Sequence, residues 1–286
     1  MSRLLALLGL LAVVTTALFS EDLEIVVTAS RIEEEARTSP AFIRVIPEEL
    51  IASGGTVLDA VGTLPDVAIR STSPGNSYVS MGGFGENGFA RTLILIDGRP
   101  VNRADMSSVD WRTIPLDRVE RIEVVKGPMS SQYGDQAIAG VINIITKDPE
   151  GFEAWARANL TTEMSNRQAA GVAWGGDVFH GELGASHDDF NSTRDRSDSR
   201  VFSTTGSLGL SIDRFDVDAE GFFAMADYQL PGGLTATEYQ NDPDQAVNQD
   251  DEVAESSYGA SLGMAAGLGR FNLSFPVSWR RVDSAN

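Results

Sequence analysis

The chain has 286 residues, contains no cysteine and carries a formal net charge of −19 at pH 7. This acidic excess excludes a nucleic-acid partner, whose phosphates require a basic face, and argues against docking on an anionic lipid surface. Without cysteine, the chain has neither a disulfide nor a thiolate metal site. The charge fits polar loops, a wet lumen or cation binding, and is also compatible with plain solubility.

The N-terminus has the pattern of a secretory signal peptide. Arg3 supplies a positive charge, and the apolar run from Leu4 to Leu18 is shorter than a membrane span. A membrane anchor or a buried core helix is the alternative. We predict a signal peptide over residues 1–20, with cleavage near Ser20, and therefore an exported protein.

Residues 37–150 predict an α+β domain built from short elements. A strand over 38–46 precedes a helix that begins at Pro47, because proline suits the first helical turn. Thr56 is expected to cap a second helix over 57–64.

A Gly-, Ser- and Asn-rich region over residues 71–90 follows a short strand at 67–70. The glycines at 82–88 do not have the spacing of a nucleotide-binding loop and lack a Walker lysine. Glycines here let loops turn tightly, so nucleotide binding is not predicted.

Acidic residues in the next segments do not form a catalytic site. Asp97 precedes a glycine, which is common turn chemistry. Glu120 and Glu123 are three residues apart on a predicted strand over 119–125 and therefore face opposite sides. Arg121 shares a face with Glu123, and we expect this face to be wet and to carry an ion-pair network. We predict that the protein is not an enzyme.

From residue 152 the sequence alternates small or apolar residues with polar ones in about seven segments. Tight turns such as 175–177 alternate with long polar connections over 188–199 and 231–255. Short turns at one end and long loops at the other are typical of an outer-membrane β-barrel; a soluble β-sandwich is the alternative. Aromatic residues near strand ends predict a girdle at the membrane interface: Phe152, Trp155, Trp174, Phe190 and Trp279.

Two runs, Arg91 to Asn102 and Val119 to Thr146, resemble the plug domain of TonB-dependent outer-membrane receptors. The segment 230–246 also resembles an extracellular loop of these receptors, whereas Met81 and Gly82 depart from the usual Arg-Gly. The resemblance implies an α+β plug domain followed by antiparallel transmembrane β-barrel strands, an incomplete barrel, over residues 151–286. It further implies location in the outer membrane and transport of a siderophore, cobalamin or similar bulky nutrient.

The resemblance also assigns a coupling role to residues 21–36. The short β-prone run there is similar to the TonB box, which a TonB-type energy-coupling protein grips by adding a strand. An ordinary first strand of the domain is the alternative. The residues of this run are Glu24, Ile25, Val26, Val27, Thr28 and Ala29.

Two further sets of residues are candidate ligand sites. The resemblance implies that apical loops face an iron chelate or cobalamin ligand through Ser77, Tyr78, Phe84, Asn87 and Arg103. Clustered carboxylates on two long loops are candidate calcium ligands, although a solvated charged loop is the favoured interpretation because the carboxylates lack a regular ligand spacing. These are Asp188, Asp195, Asp242, Asp244, Asp250 and Asp251. No other cofactor is predicted.

About seven predicted strands are few for a plugged transporter, which closes with about 22 strands. We therefore predict a fragment that does not transport alone. The alternative function is a soluble periplasmic binding or interaction protein that contains a plug-like domain.

Overall fold

The computed structural model describes residues 26–27, 34–35, 42–53, 56–73, 76–84, 91–102, 108–114, 116–160, 166–191, 193–268, 271–275 and 277–285. The predicted signal peptide over 1–20 lies outside these residues. No helix within these ranges is long and apolar enough to cross a membrane.

The N-terminal part of the chain is an α+β domain of short elements. In chain order these are β1 (Val26–Val27), β2 (Glu34–Glu35), β3 (Phe42–Pro47), α1 (Glu48–Ser53), α2 (Val57–Gly62), β4 (Val67–Ser73), β5 (Asn76–Met81), β6 (Thr92–Ile96), β7 (Arg99–Pro100), β8 (Val109–Asp110), β9 (Val119–Lys126), α3 (Ser130–Tyr133) and β10 (Gly140–Thr146). Within the described ranges, three 3₁₀ turns join them: Trp111–Thr113, Leu116–Arg118 and Asp135–Ala137.

A mixed five-stranded sheet in the order β3-β9-β10-β6-β7 forms the centre of this domain. β10 is parallel to β6 and antiparallel to β9. A smaller sheet of β4, β5 and β8 lies beside it, and β1 pairs with β2. The predicted α+β class is confirmed.

The two predicted helices form where their end signals place them. α1 begins directly after Pro47, and the side chain of Thr56 accepts a hydrogen bond from the amide of Asp59 at the start of α2. The apolar face of α2 packs on the sheet, together with residues of β5, β9 and β10, in one core. That core includes Ile51, Val61, Met81, Ile122, Ile142 and Ile144.

β9 is more buried than the sequence pattern predicted. It lies between β3 and β10, and both of its faces are covered over much of its length. Glu123 is completely buried rather than wet, and its carboxylate lies 3.0 Å from the guanidinium of Arg121. Glu120 stays exposed on the other face, as expected. The prediction of one wet face was wrong because period-two alternation does not reveal a second covering layer.

The rest of the chain folds into one antiparallel sheet, which we call the wall. Its strands are β11 (Gly151–Leu160), β12 (Asn166–Gly175), β13 (Phe179–Phe190), β14 (Ser199–Ile212), β15 (Phe215–Gln229), β16 (Glu252–Leu268), β17 (Phe271–Ser274) and β18 (Val277–Ala285). Neighbours in sequence pair from β11 to β16, and both β17 and β18 pair with β16. The described strands form an open sheet, not a closed barrel.

Turns and loops alternate along the wall as predicted. β14 and β15 are joined by a tight turn in which Asp213 has φ 51°, whereas residues 191–198 and 230–251 form long connections. A helix that the sequence analysis did not predict, α4 (Ala236–Asn241), lies in the second loop. Thr235 and Glu238 form a capping box at its start, a signal that the sequence contains.

Candidate functional site at the domain interface

The two faces of the wall differ in chemistry. Because side chains alternate along a strand, residues at alternate positions share a face. One face contacts the N-terminal domain through charged and hydroxyl groups of Arg157, Glu182, Glu220, Glu255 and Ser257. The opposite face carries the large exposed apolar side chains, among them Phe152, Phe179, Leu183, Phe202, Leu208, Phe215, Phe223, Leu262 and Trp279.

Two members of the predicted aromatic girdle, Trp155 and Phe190, lie on the other face; Phe190 is eight residues from Glu182 in β13 and therefore shares its inner face. Trp155 lies two residues from Arg157 in β11 and shares its inner face. Its ring covers Gly171, where a Cβ atom would lie 2.6 Å from Cζ2 of Trp155. The girdle assignments of Trp155 and Phe190 were therefore wrong, because proximity to a strand end does not fix which face a residue occupies.

A buried cluster joins the N-terminal domain to β16, and we call it the latch: Asp110, Arg112, Glu255 and Ser257. Arg112 donates from Nε to Oδ1 of Asp110 at 2.7 Å and from Nη2 to Oδ2 at 3.1 Å. The same Nη2 also donates to Glu255 of the wall. Ser257 donates from Oγ to Oδ2 of Asp110 at 2.8 Å. Both partners of each contact are nearly inaccessible to solvent, so the latch is a desolvated ion-pair network.

The charged groups of the latch stabilise one another's ionised forms. Burial raises the pKa of Asp110, but the hydrogen bonds and charge of Arg112 and the hydroxyl of Ser257 outweigh it, so this pKa lies below the usual value. Burial lowers the pKa of Arg112, but Asp110 and Glu255 outweigh that effect and raise it. Both groups of the Asp110–Arg112 pair are therefore charged at neutral pH.

A second ion pair fixes the connection between the two domains. Arg118 donates from Nε to Glu182 of the wall and from Nη2 to the carbonyl of Lys147. The amide of Lys147 donates back to the carbonyl of Arg118 at 2.8 Å. Because Lys147 directly follows β10, this arrangement fixes the start of the link to β11.

Asp117 binds two arginines of the wall. Its carboxylate lies 2.5 Å from Nη1 of Arg157 and 3.8 Å from Nη2 of Arg167. A partly open cavity of about 30 Å³ lies beside this group, between the domain and the wall. Both charged and apolar side chains line it, and its size suits about two water molecules. It is lined by Arg112, Asp117, Arg118, Trp155, Arg167 and Glu182, among others.

A third contact starts at the predicted turn at Asp97. Asp97 and Gly98 both have positive φ, 47° and 77°, and join β6 to β7. The carboxylate of Asp97 accepts hydrogen bonds from the amide and hydroxyl of Thr146, at 2.9 Å and 2.8 Å. The turn presents Arg99, which pairs with Glu220 of the wall. The interpretation of Asp97 as a turn residue is confirmed.

The arrangement is therefore a folded domain held against a sheet wall by arginine–carboxylate pairs. Comparison with known proteins identifies it. Residues 35–141 match the family model described as TonB-dependent Receptor Plug Domain. These residues are a TonB-dependent receptor plug domain. The resemblance predicted from the sequence is confirmed.

Curated relatives are similar to about half of the chain. The chain is 37% identical over 161 residues to an iron-regulated outer membrane virulence protein of Vibrio cholerae, covering 52% of this chain and 24% of that protein. It is 39% identical over 131 residues to the vitamin B12 transporter BtuB of Vibrio cholerae, covering 43% and 20%. The chain thus spans about a quarter or less of these relatives, and its inability to transport alone stays a prediction.

Solved structures show the same fold over most of the chain. The unliganded ferric citrate transporter FecA matches with a TM-score of 0.72 and 19% identity, covering 90% of this chain and 42% of that one. The ferric yersiniabactin uptake receptor FyuA from Yersinia pestis matches with a TM-score of 0.72 and 15% identity, covering 87% and 42%. The chain, including most of the wall, therefore shares its fold with part of these receptors.

The predicted coupling segment is described in part. Val26 and Val27 form β1 and pair with Glu35 and Glu34 of β2. The other members of the segment, Glu24, Ile25, Thr28 and Ala29, lie outside the described residues. Its role stays a prediction.

The predicted ligand-facing residues of the plug domain do not share one environment. Ser77 and Tyr78 lie within β5 rather than in a loop, and Ser77 is only 1% exposed. Phe84 is exposed, and the guanidinium of Arg91 lies 5.8 Å from its ring centre. Asn87 and Arg103 lie outside the described residues. Ser77 was misplaced because a polar composition does not distinguish a buried edge of a small sheet from a loop.

The predicted calcium ligands are spread over several elements. Asp188 lies inside β13, not in a loop, and its carboxylate is 3.5 Å from Nε of Arg167. The amide of Asp195 donates to the carbonyl of Asp244 at 2.7 Å, which joins the two long loops. Among the described residues, no three His, Asp or Glu side chains are placed to hold a metal ion. Calcium binding by Asp188, Asp195, Asp242, Asp244, Asp250 and Asp251 stays a prediction.

Sequence analysis did not select the residues of the latch. Arg112 and Glu255 are 143 positions apart, and no local pattern links them. A weak signal exists in the wall, where Glu182 is flanked by small or apolar residues on both sides. Such a residue marks the wet face of a strand, but it does not identify a partner.

Proposed function

We propose that this chain acts in TonB-dependent import of a siderophore, cobalamin or similar bulky nutrient across the outer membrane. The plug domain is the gate, and the wall is the conduit that it closes. Import is conformational, with no covalent chemistry. The names of the relatives support this class of ligand, since they include a vitamin B12 transporter and a ferric enterobactin receptor of Pseudomonas aeruginosa.

The latch is the observation that carries the gating proposal. It joins the plug domain to the wall through charged and hydroxyl groups rather than apolar contacts. When such an interface opens, both surfaces remain hydrophilic and water replaces the lost contacts. A gate that must separate from its wall and return requires this property.

A disulfide across the latch tests the gate. The chain has no cysteine, so the pair Asp110→Cys and Ser257→Cys introduces the only two thiols, at side chains now 2.8 Å apart. We expect oxidation to stop uptake of radiolabelled cyanocobalamin or ferric enterobactin by cells that express a complete receptor containing this chain, and dithiothreitol to restore it. Each single variant is the control. If oxidation of the double variant leaves uptake unchanged, the result contradicts gating by the plug domain.

The energy source is proposed to be a TonB-type coupling protein that pairs with residues 24–29. Strand addition requires backbone N–H groups, and proline lacks one. In a complete receptor containing this chain, Val26→Pro is expected to abolish energised uptake and to leave ligand binding at the cell surface unchanged. Val26→Thr, which keeps the N–H and the β-branch, is the control. Normal uptake by the proline variant would refute the coupling role.

Location separates this proposal from a soluble periplasmic binding protein. We expect the protein in the outer-membrane fraction, and recovery in the periplasmic fraction would favour the alternative.

The acidic loops are further proposed to bind calcium. Asp250→Asn with Asp251→Asn should then weaken calcium binding in calorimetry, and absence of binding by the unaltered protein would dispose of this idea.

A further inference from the structure

Trp111 lies between the two plug residues of the latch and is almost completely buried. It is 7% exposed and begins the 3₁₀ turn that follows Asp110 and contains Arg112. Its indole Nε1 donates a hydrogen bond to the carbonyl of Ser77 at 3.1 Å, with both groups buried. The latch contacts do not require this bond, because Asp110 and Arg112 contact the wall through their own side chains.

The indole bond extends a very short strand pairing. Among the described residues, β5 and β8 pair at two positions, Asn76 with Asp110 and Ser77 with Val109. The side chain of Asn76 also donates to Glu255 of the latch at 3.4 Å, and the bond from Trp111 adds a further link between β5 and the chain that carries the latch. The indole bond joins the backbone of β5 to a ring that is packed in the plug core, so the two move together.

β5 connects this link to the exposed end of the plug domain. After Met81 the chain passes through Gly82 and Gly83, both with φ 73°, to the exposed Phe84. Met81 is buried against the core, so β5 is firmly held at both ends. A force on Phe84 therefore reaches a strand whose other end is linked to the latch.

We infer that Trp111 is the positioning residue that couples displacement of β5 to release of the latch. A ligand that moves β5 carries the carbonyl of Ser77 with it, and the indole draws the Asp110–Arg112 turn away from Glu255 and Ser257. That a transported ligand displaces β5 rests on the proposed function. The coupling between β5 and the latch is independent of the proposed function.

Hydrogen exchange on the full chain tests this coupling without a ligand. Ser257→Ala weakens the latch from the wall side and touches no residue of β5. We expect it to speed exchange of the β5 amides about five- to tenfold, the effect of one lost buried hydrogen bond. Ser203→Ala is the matched control, since Ser203 is a buried wall serine that bonds Ser186 instead of the plug domain.

The decisive arm repeats Ser257→Ala in a Trp111→Phe background, which keeps an aromatic ring but removes the donor together with part of the ring volume. There we expect Ser257→Ala to change β5 exchange by less than about twofold relative to Trp111→Phe alone. If Trp111→Phe does not fold, benzothienylalanine at position 111 gives a near-isosteric ring without the N–H. A merely structural tryptophan would raise exchange in its own right and leave the response to Ser257→Ala intact.

Two results overturn the inference. One is an unchanged response to Ser257→Ala when the indole donor is absent, and the other is no response in the unaltered chain. Loss of uptake in the disulfide test concerns the proposed function alone. A protein that shows the exchange coupling but no uptake would keep the coupling and lose the proposed function.

Discussion

The plug domain and the wall use the same strand periodicity in opposite ways. In the plug domain the sheet is covered on both sides, and Ile142 of β10 is completely buried. In the wall one face is left without protein cover, and Leu208 of β14 is 61% exposed. The plug domain therefore carries its own hydrophobic core, whereas the wall depends on an apolar surrounding for its outer face and on the plug domain for its inner one.

The surface at which the plug domain and the wall meet explains why the two regions differ. The two regions meet through charged groups at the latch, at Arg118–Glu182 and at Arg99–Glu220. An interface of two apolar surfaces would expose them to water each time it opened, at about 25 cal/mol per Å². Ion pairs and hydroxyls avoid that cost, so two separately stable surfaces can separate and meet again.

The largest expected effect is loss of the latch arginine. Arg112→Met leaves Asp110 and Glu255 buried without their cation, which costs about 3–5 kcal/mol in a desolvated network. We expect the plug domain to be cleaved by trypsin at lower urea concentrations than in the unaltered chain. Arg200→Met is the control, because Arg200 pairs with Asp189 on the exposed surface, where such pairs contribute about 1 kcal/mol or less. Equal effects of the two changes would mean that the latch is not desolvated.

The second-largest expected effect comes from truncating a buried apolar side chain of the plug domain, compared with an exposed apolar side chain of the wall. Ile142→Ala removes a fully buried side chain and is expected to lower the free energy of unfolding of the plug domain by about 2–5 kcal/mol. Leu208→Ala is the matched change in the wall and should leave plug unfolding unchanged. Urea denaturation followed by hydrogen exchange in the plug domain measures both. A comparable loss from Leu208→Ala would show that the two regions unfold as one unit.

The third effect tests the two faces of a single strand. Leu208→Arg places a charge on the outer face and is expected to cost about 2–4 kcal/mol in lipid. Ser207→Arg, one residue away, points to the inner face and should insert normally. The measurement is the yield of protein in outer-membrane vesicles. Equal yields would remove the assignment of the outer face to the membrane.

The smallest expected effect concerns pH. Because the folded pKa of Asp110 is depressed, the stabilisation from its pairing is present above the unfolded value of about 3.9 and is lost as pH falls through the folded value. Plug attachment, measured by protease resistance, should change little between about pH 7 and pH 5. In the Asp110→Asn variant, the part of the acid-dependent loss of plug attachment that comes from Asp110 should disappear. A clear loss of attachment in the unaltered chain between those values would place the titrating group elsewhere.

The sequence by itself determined most of the local structure. Caps and turns lie where their residues predict, because they depend on neighbours a few positions away. Examples are the helix start after Pro47, the Thr56 cap and the Asp97-Gly98 turn. The α+β plug domain and the antiparallel wall strands followed in the same way from periodicity and from family motifs. These features needed no knowledge of distant parts of the chain.

Only the tertiary structure decided burial and partnership. Period-two alternation describes β9 and β14 alike, yet β9 acquires a second covering layer and Glu123 becomes buried, while β14 keeps a bare apolar face. Trp155 faces inward because the register of β11 places it beside Arg157, and Ser77 is buried because β8 and Trp111 cover it. The latch joins Arg112 to Glu255 across 143 positions. Such contacts arise from the packing of one folded region on another, and this information is absent from any short window of sequence.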